Sequence, residues 1–521
     1  MGAIILGVAS VLCKIIGAVF RIPLTHLLGT EGVGIYQLVF PIYALFLVFA
    51  SSGVPVSLSK IIAKENSNEN YKNIKVIFRS ALILMLILGL VFTIFLVIFS
   101  KVFAVIQNNV EMYILYLALA PSLLFSTIIS AYRGYFQGFQ VMTYSAISQI
   151  LEQLFKLFFG LIFAYFLLPF GLIYGVLGAI LGITLSELFS LIYLFVCYKK
   201  KKGKIIKNEN KNVEVYTTKQ SMKLIIKEAF PITLSAIIVP FTSVIDSLII
   251  VKLLSNVGFS FEISSALYGL DSGVVASLIN LPSVIAISIG ISLMPSISAS
   301  FSLKNEKDVS FKSKLALKIV WYFTLPCVLI FFLYPTEICR FLYGNLSGEL
   351  FNQLNVASLM LKLSSFSIIY IAINQIVTTS LQAINKSYVP VFVVLFTSVL
   401  KVILTIILVL NNKINIYGLV FAEVITIALA SIINLTILKK YIKLNFNFKE
   451  VFMVPILSLI VMGILLLIFK NFIINPNRIL TLVILGSSFL VYLIMVVLLK
   501  GFNKNELSKT TILNFIKKKK Y

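Results

Sequence analysis

Charge is scarce in this sequence, and histidine is nearly absent. Asp, Glu, Lys and Arg make up 12% of the 521 residues and hydrophobic residues 60%, whereas soluble chains carry roughly 25% charged and about 45–50% apolar residues. A soluble globule of this composition has no means of covering its apolar surface. Uninterrupted apolar runs at residues 80–100 and 479–499 each approach the ~20 residues that span hydrocarbon. The solvent of the chain is therefore lipid. His26, the one histidine, has no partner at metal-ligand spacing, and Cys13, Cys197, Cys327 and Cys339 form neither a CxxC nor a zinc pattern. The cysteines read as core residues, and nothing calls for a metal or an organic cofactor. The N-terminal residues show no charged leader and no small-residue cleavage site, and Ser10, Val11 and Leu12 before Cys13 make no lipoprotein signal. The first apolar stretch thus reads as an uncleaved helix.

Basic residues are abundant by comparison, with 44 Lys and Arg against 19 acids and a net charge of +25. They cluster between apolar runs, without the interleaved acids and aromatics of a nucleic-acid surface, so nucleic acid is excluded as a partner and membrane lipid is retained. Apolar runs and polar breaks together give an all-α polytopic membrane protein of about fourteen helices. Helices 1 to 6 fall near 2–28, 34–63, 74–105, 111–138, 143–168 and 171–198. Helices 7 to 14 fall near 221–254, 265–302, 312–335, 350–384, 387–410, 416–440, 450–470 and 479–500. Even-numbered loops and the C-terminal tail hold 32 of the 44 basic residues and odd-numbered loops hold five. That asymmetry places both termini in the cytoplasm and requires an even number of helices.

A weak internal repeat organises the chain. Gln137, Gly138 and Lys156 recur as Gln382, Ala383 and Lys401 at one constant offset, Tyr174-Gly175 recurs as Tyr417-Gly418 close to it, and Pro41 and Pro55 bracket helix 2 as Pro282 and Pro295 bracket helix 8. The reading is an N-lobe at 1–198, a Lys-rich cytoplasmic linker at 199–220, a C-lobe at 221–440, and helices 13 and 14 with a basic tail at 441–521. Six helices per lobe give both lobes the same membrane orientation, an arrangement in which transporters bind substrate between the repeats.

Seven basic residues remain in or at the ends of helices: Lys14, Arg21, Arg133, Lys156, Lys252, Lys362 and Lys401. A charge facing lipid is costly, so each needs a partner or a wet cavity. Lys14 and Arg21 are seven residues apart on one face of helix 1; snorkelling to the outer interface is the alternative for Arg21. Helix 5 carries Gln149, Glu152, Gln153 and Lys156, with Glu152 and Lys156 in the favourable i,i+4 order. Helix 11 repeats the lysine as Lys401 with Thr397 in place of the acid, which leaves Lys401 the less readily neutralised. Asp246 stands among Pro240, Thr242, Ser243 and Ser247, a setting that suits H⁺ or Na⁺ and equally suits a basic partner on another helix. Glu187 and Glu423 read as inter-helix polar partners. Asn374, Thr378 and Gln382 form a polar stripe on helix 10 that either lines a cavity or joins helices. The candidate substrate contacts are Lys14, Arg21, Arg133, Gln137, Lys156, Asn374, Thr378, Gln382 and Lys401, and the candidate ion-coupling residue is Asp246. No constellation argues for an enzyme, because the longest loop, near 199–221, is cytoplasmic and lysine-rich.

Several stretches resemble a known family. Residues 13–36 followed by Pro41-Ile42-Tyr43, residues 131–138 with 148–153, and Ile279-Asn280-Leu281-Pro282 leading to Leu293-Met294-Pro295 resemble stage V sporulation protein B and related oligosaccharide flippases. These belong to the superfamily of lipid II flippases and multidrug extrusion pumps. The resemblance implies fourteen helices, two six-helix lobes around a cationic cavity, and a last helix pair forming a groove for a lipid tail. It also implies a bacterial plasma membrane location, a lipid-linked sugar as substrate and envelope-synthesis proteins as candidate partners. In the lipid II branch, arginines on helices 1, 2 and 8 matter; here helix 1 keeps Lys14 and Arg21, while the other two positions fall near Val48 and Ser277. The expected function is flipping of a polyprenyl-pyrophosphate sugar to the outer leaflet, with Lys14 and Arg21 on the pyrophosphate and Asp246 coupling an ion. A multidrug cation antiporter and a transport-inactive envelope scaffold are the alternatives.

The topology is directly testable. In cysteine-free protein, Asn208→Cys should label only from the cytoplasm and Asn345→Cys only from outside; labelling of both from one side would overturn the helix count.

Overall fold

The computed structural model describes residues 2–205, 215–344, 346, 352–444, 446–472 and 478–502; Asn208 and Asn345 lie outside them. Every regular element among the described residues is helical. Among the described residues twelve stretches are long and apolar enough to cross a membrane, and the bent pair Gln353–Ser364 and Ser367–Ala383, angled at 43°, makes thirteen. The first of the twelve, Ile5–Ser67, holds both helix 1 and helix 2, so dividing it at Gly29 recovers the fourteen expected. Gly29 takes φ 68° and ψ 179°, a conformation that a β-carbon disfavours. Helix 2 is interrupted again between Ser51 and Val54, where Pro55 falls in the first turn of the continuation.

The remaining bounds follow the expected spans closely. Helices 3 to 6 run Tyr71–Ile106, Tyr113–Gly138, Met142–Leu167 and Leu172–Ile205, and helix 7 is Thr218–Asn256. Helix 7 starts on a capping box, with Thr217 accepting from the backbone of Gln220 and Gln220 reaching back to that of Thr217. Helix 9, Glu306–Leu333, has Glu306 and Asp308 in its first turn, where acids offset the helix dipole. Helices 11, 12 and 14 are Tyr388–Val409, Tyr417–Tyr441 and Arg478–Leu498, and helix 13 is Val454–Phe472 preceded by the π-helical Lys449–Met453. One departure from the sequence reading lies in helix 8. It comprises Phe261–Tyr268, a π-helical stretch Gly269–Val275, and Ala276–Ser302.

By contacts, the chain forms two compact units, residues 1–277 with 394–422, and residues 278–393 with 423–521. This division follows packing and differs from the lobes at 1–198 and 221–440, which describe the repetition of the sequence. The first unit has a core in which Leu58, Ile62, Ile77, Phe136 and Ile225 are buried. Beside them the Phe78 ring lies 4.4 Å from that of Tyr135 and 5.0 Å from that of Tyr198. In the same unit Gly34 and Gly269 meet backbone to backbone. A β-carbon on Gly34 would lie 1.8 Å from the Ser265 carbonyl oxygen, and one on Gly269 would lie 2.0 Å from that of Thr30. The bend after helix 1 and the start of helix 8 thus approach each other through two glycines.

In the second unit, Ala286, Ile297, Val320, Ile376 and Leu381 form the core. Lys318 is buried in helix 9, with its Nζ 2.7 Å from Glu450 Oε2. Trp321 Nε1 donates to the Val451 carbonyl at 2.9 Å, so helix 9 grips the start of helix 13.

Candidate functional site

Four settings in the first unit hold candidate site residues. The first is the π-helical turn of helix 8. A π turn shifts the hydrogen-bond register and leaves a carbonyl open to outside donors. Gln37 Nε2 donates to the Ser272 carbonyl at 2.7 Å and Arg21 Nη1 at 3.1 Å. The same Nη1 donates to Ser277 Oγ at 2.8 Å. The resemblance places a helix 8 arginine near Ser277; here Ser277 accepts from the arginine of helix 1. In this conformation Arg21 therefore holds helix 1 to the π turn. Lys14, two turns earlier, is exposed.

The second setting joins helices 2, 4, 5 and 6 around a cavity of ≈190 Å³ whose wall includes Arg133, Gln137, Gln149, Glu152 and Glu187. Arg133 Nη2 meets Glu152 Oε2 at 2.7 Å, and its Nε donates to Ser148 Oγ at 2.9 Å. This corrects the expected pairing of Glu152 with Lys156. The i,i+4 spacing permits that pair, but helices 4 and 5 form a hairpin with a short turn, and a guanidinium across the hairpin offers a planar donor face that a lysine lacks. Glu187, read from sequence as an ordinary polar partner, is buried, with Oε1 accepting from the Tyr43 hydroxyl at 3.3 Å.

The third setting is an aromatic enclosure. Lys156 Nζ stands 5.1 Å from the Phe40 ring centroid, 5.6 Å from that of Phe20 and 6.0 Å from that of Tyr36. Ring faces attract a cation but leave its charge in place. Among the described residues neither Lys14 nor Lys156 forms an ion pair. Gly17 faces Gln153, with 3.7 Å from its β-carbon position to Gln153 Oε1, so residues 14–20 of helix 1 run beside residues 153–156 of helix 5.

The fourth setting corrects the reading of Lys401. Lys401 Nζ lies 2.8 Å from Asp246 Oδ2, so the acid missing at position 397 is supplied by helix 7. The cation beside Asp246 is the chain's own, and Asp246 Oδ1 is buried without a hydrogen-bond partner among the described residues. In the second unit, Asn434 Nδ2 donates to Asn374 Oδ1 at 2.9 Å, which makes Asn374 a helix-joining residue. Thr378 and Gln382 are half-buried and make no side-chain hydrogen bond among the described residues.

Residues 1–301 match the family described as "Polysaccharide biosynthesis protein". The chain belongs to that family. It is 26% identical to stage V sporulation protein B of Bacillus subtilis, over 98% of this chain and 97% of that one. Its fold is similar to that of a lipid II flippase MurJ in an inward closed conformation, with 18% identity, a TM-score of 0.70, and coverage of 95% and 98% of the two chains. It is also similar to an inward-facing multidrug resistance MATE family transporter, with 16% identity, a TM-score of 0.64, and coverage of 82% and 94%. The resemblance seen in the short motifs thus extends over nearly the whole chain, and the protein is a multi-pass α-helical membrane protein of this superfamily.

The Asp246–Lys401 pair makes a stability prediction. Lys401→Met leaves a buried carboxylate without its cation, and should destabilise the protein by about 3–5 kcal/mol. The double variant with Asp246→Asn should recover most of the loss. Thermal unfolding of the single and double variants in detergent checks this; equal losses in both would show that the pair carries no coupling.

Proposed function

We propose that the protein moves a polyprenyl-pyrophosphate-linked sugar from the cytoplasmic to the outer leaflet of a bacterial plasma membrane by alternating access between the two sequence lobes. One observation carries the reading. Within the span, Lys14 and Lys156 have no carboxylate partner among the described residues, while Glu152 and Asp246 are each matched by a base. The surplus charge along the helix 1 and helix 5 contact is positive, which suits an anionic headgroup and opposes the cationic cargo of a multidrug antiporter. The full-length similarity to stage V sporulation protein B and the likeness of fold to a lipid II flippase support the same choice.

The physical need is specific to such a substrate. An anionic head does not cross hydrocarbon unaided, whereas its polyprenyl tail remains in lipid throughout. Lys14 and Lys156 are offered to the pyrophosphate in the conformation described, as charge-assisted donors. Arg21 joins them when the π turn of helix 8 rearranges and releases it from Ser272 and Ser277. Moving a negative charge outward across a membrane that is negative inside is favourable by about 2.3 kcal/mol per 100 mV, so export proceeds on the membrane potential. Coupling of Na⁺ or H⁺ at Asp246 would require Lys401 to leave it. No covalent step is involved, and the cytoplasmic placement of both termini is part of the same reading.

The experiment is flipping of a fluorescent polyprenyl-pyrophosphate sugar in liposomes at matched protein levels. Lys14→Gln and Lys156→Gln each remove a charged donor, and each should slow flipping by roughly ten- to a hundredfold, the equivalent of one charged hydrogen bond. Membrane insertion should be unaffected, because an in-span charge is being removed. Wild-type rates in both variants would sink the proposed contacts, and efflux of cationic dyes by the wild type would favour the antiporter.

A further inference from the structure

The second half of helix 10, Ser367–Ala383, has a polar face without charge: it holds no Asp, Glu, Lys or Arg. The half-buried Asn374, Gln375, Thr378 and Gln382 fall within one arc of about 100°. No residue of this segment is exposed, whereas helix 11 turns Phe392, Phe396 and Ile407 outward in the manner of a lipid-facing helix. Amides turned to hydrocarbon would forfeit their hydrogen bonds, so the face belongs to a polar recess. The internal repeat says which. The constant offset that carries Gln137 to Gln382 also carries Ile129, Ser130 and Arg133 of helix 4 to Asn374, Gln375 and Thr378. Ile129, Ser130, Arg133 and Gln137 all line the ≈190 Å³ cavity of the first unit, so the corresponding face of helix 10 is the cavity wall of its own lobe. Its chemistry has changed in one respect. The guanidinium of Arg133 becomes the Thr378 hydroxyl, and Glu152, the acid that pairs with Arg133, becomes Thr397 at the same offset. The charge pair is gone as a pair and uncharged donors and acceptors stand in its place. Asn374 is held by helix 12 through Asn434, and Gln375 Nε2 lies 3.6 Å from the β-carbon position of Gly290 on helix 8. The side chains of Gln375, Thr378 and Gln382 make no hydrogen bond among the described residues.

We propose that this face of helix 10 binds uncharged sugar, with Gln375, Thr378 and Gln382 as the residues that select the glycan part of the cargo. The proposal rests on the flippase reading. A carboxamide offers a donor and an acceptor side by side, which matches a pair of neighbouring sugar hydroxyls or an acetamido group. A sugar carboxylate finds no cation on this face, so neutral sugars are preferred to acidic ones. A wall built to hydrogen-bond a hydroxyl discriminates against a ligand that lacks it, because its own polar groups then go unpaired. Here the groups are half-buried and meet water when the face is empty, so each hydrogen bond to sugar contributes only its net exchange value, roughly two- to tenfold in affinity. Polar stripes also join helices, and Asn374 does so, which removes it from the selecting set.

The test is binding of two tail-labelled lipids to the full-length protein in lipid nanodiscs: polyprenyl pyrophosphate carrying one N-acetylglucosamine, and the same polyprenyl pyrophosphate without sugar. The wild type should bind the glycolipid more tightly. Thr378→Val and Gln382→Leu keep most of the native side-chain volume and remove the polar groups. Each should reduce the preference for the glycolipid by roughly two- to tenfold and leave the affinity for the sugar-free lipid unchanged. Lys14→Gln should weaken both lipids by the same factor, since it acts on the pyrophosphate that they share. A preference that survives both helix 10 variants would overturn the proposal, as would an equal loss for both lipids, which is the result of a merely structural role. A wild type that binds both lipids alike would overturn the sugar site and leave the flippase reading in place. A wild type that binds neither would count against the flippase reading and overturn the sugar site with it.

Discussion

A charge placed in hydrocarbon must be met by protein, by trapped water or by cargo, because lipid tails offer it nothing. That constraint organises the first unit. Asp246 is met by Lys401, Glu152 by Arg133, and the freed carbonyl of the helix 8 π turn by Arg21 and Gln37. The Asp246 and π-turn contacts join helices far apart in sequence and the Arg133–Glu152 pair closes the hairpin of helices 4 and 5, so the polar groups that lipid cannot solvate also fix which helices pack together. What remains after these pairings is informative: among the described residues Lys14 is exposed, Lys156 stands beside aromatic rings with no ion pair, and Glu187 has one oxygen without a hydrogen-bond partner.

Arg21 illustrates how one side chain can belong to both structure and transport. Its contacts to Ser272 and Ser277 depend on the π turn, and the π turn stands beside the Gly34 and Gly269 contact, where no β-carbon fits. A rearrangement of that turn would change the access of Arg21 to an anion and the packing of helix 1 against helix 8 together. Packed contacts of this kind have discrete alternatives and no continuous range between them, which is the property that alternating access needs.

Much of the fold was legible in the sequence because lipid imposes length and polarity on each helix. The spans, the break between helices 1 and 2 and the all-helical class followed from apolar runs and polar breaks, and the repeat of Lys156 as Lys401 marked two in-span lysines. Their partners were not legible. Lys401 takes an acid from helix 7, and Lys156 takes three rings from helices 1 and 2. The i,i+4 rule pointed Glu152 toward Lys156 because it reads only one helix at a time. A hairpin register would have done better: Arg133 and Ser148 lie nearly symmetrically about the turn after Gly138, which sets them side by side. The π turn left only a faint signal in Gly269 and Gly273, and nothing in the spacing distinguished Glu187 from other in-span acids.

The central claim is that positive charge within the span selects an anionic lipid head. The most direct measurement is binding of a polyprenyl pyrophosphate and of the matching uncharged polyprenol to the full-length protein in lipid nanodiscs, at low and high salt. The account predicts that the pyrophosphate binds, that the alcohol does not compete with it, and that salt weakens the complex. Equal binding of the two lipids, indifferent to salt, would contradict it.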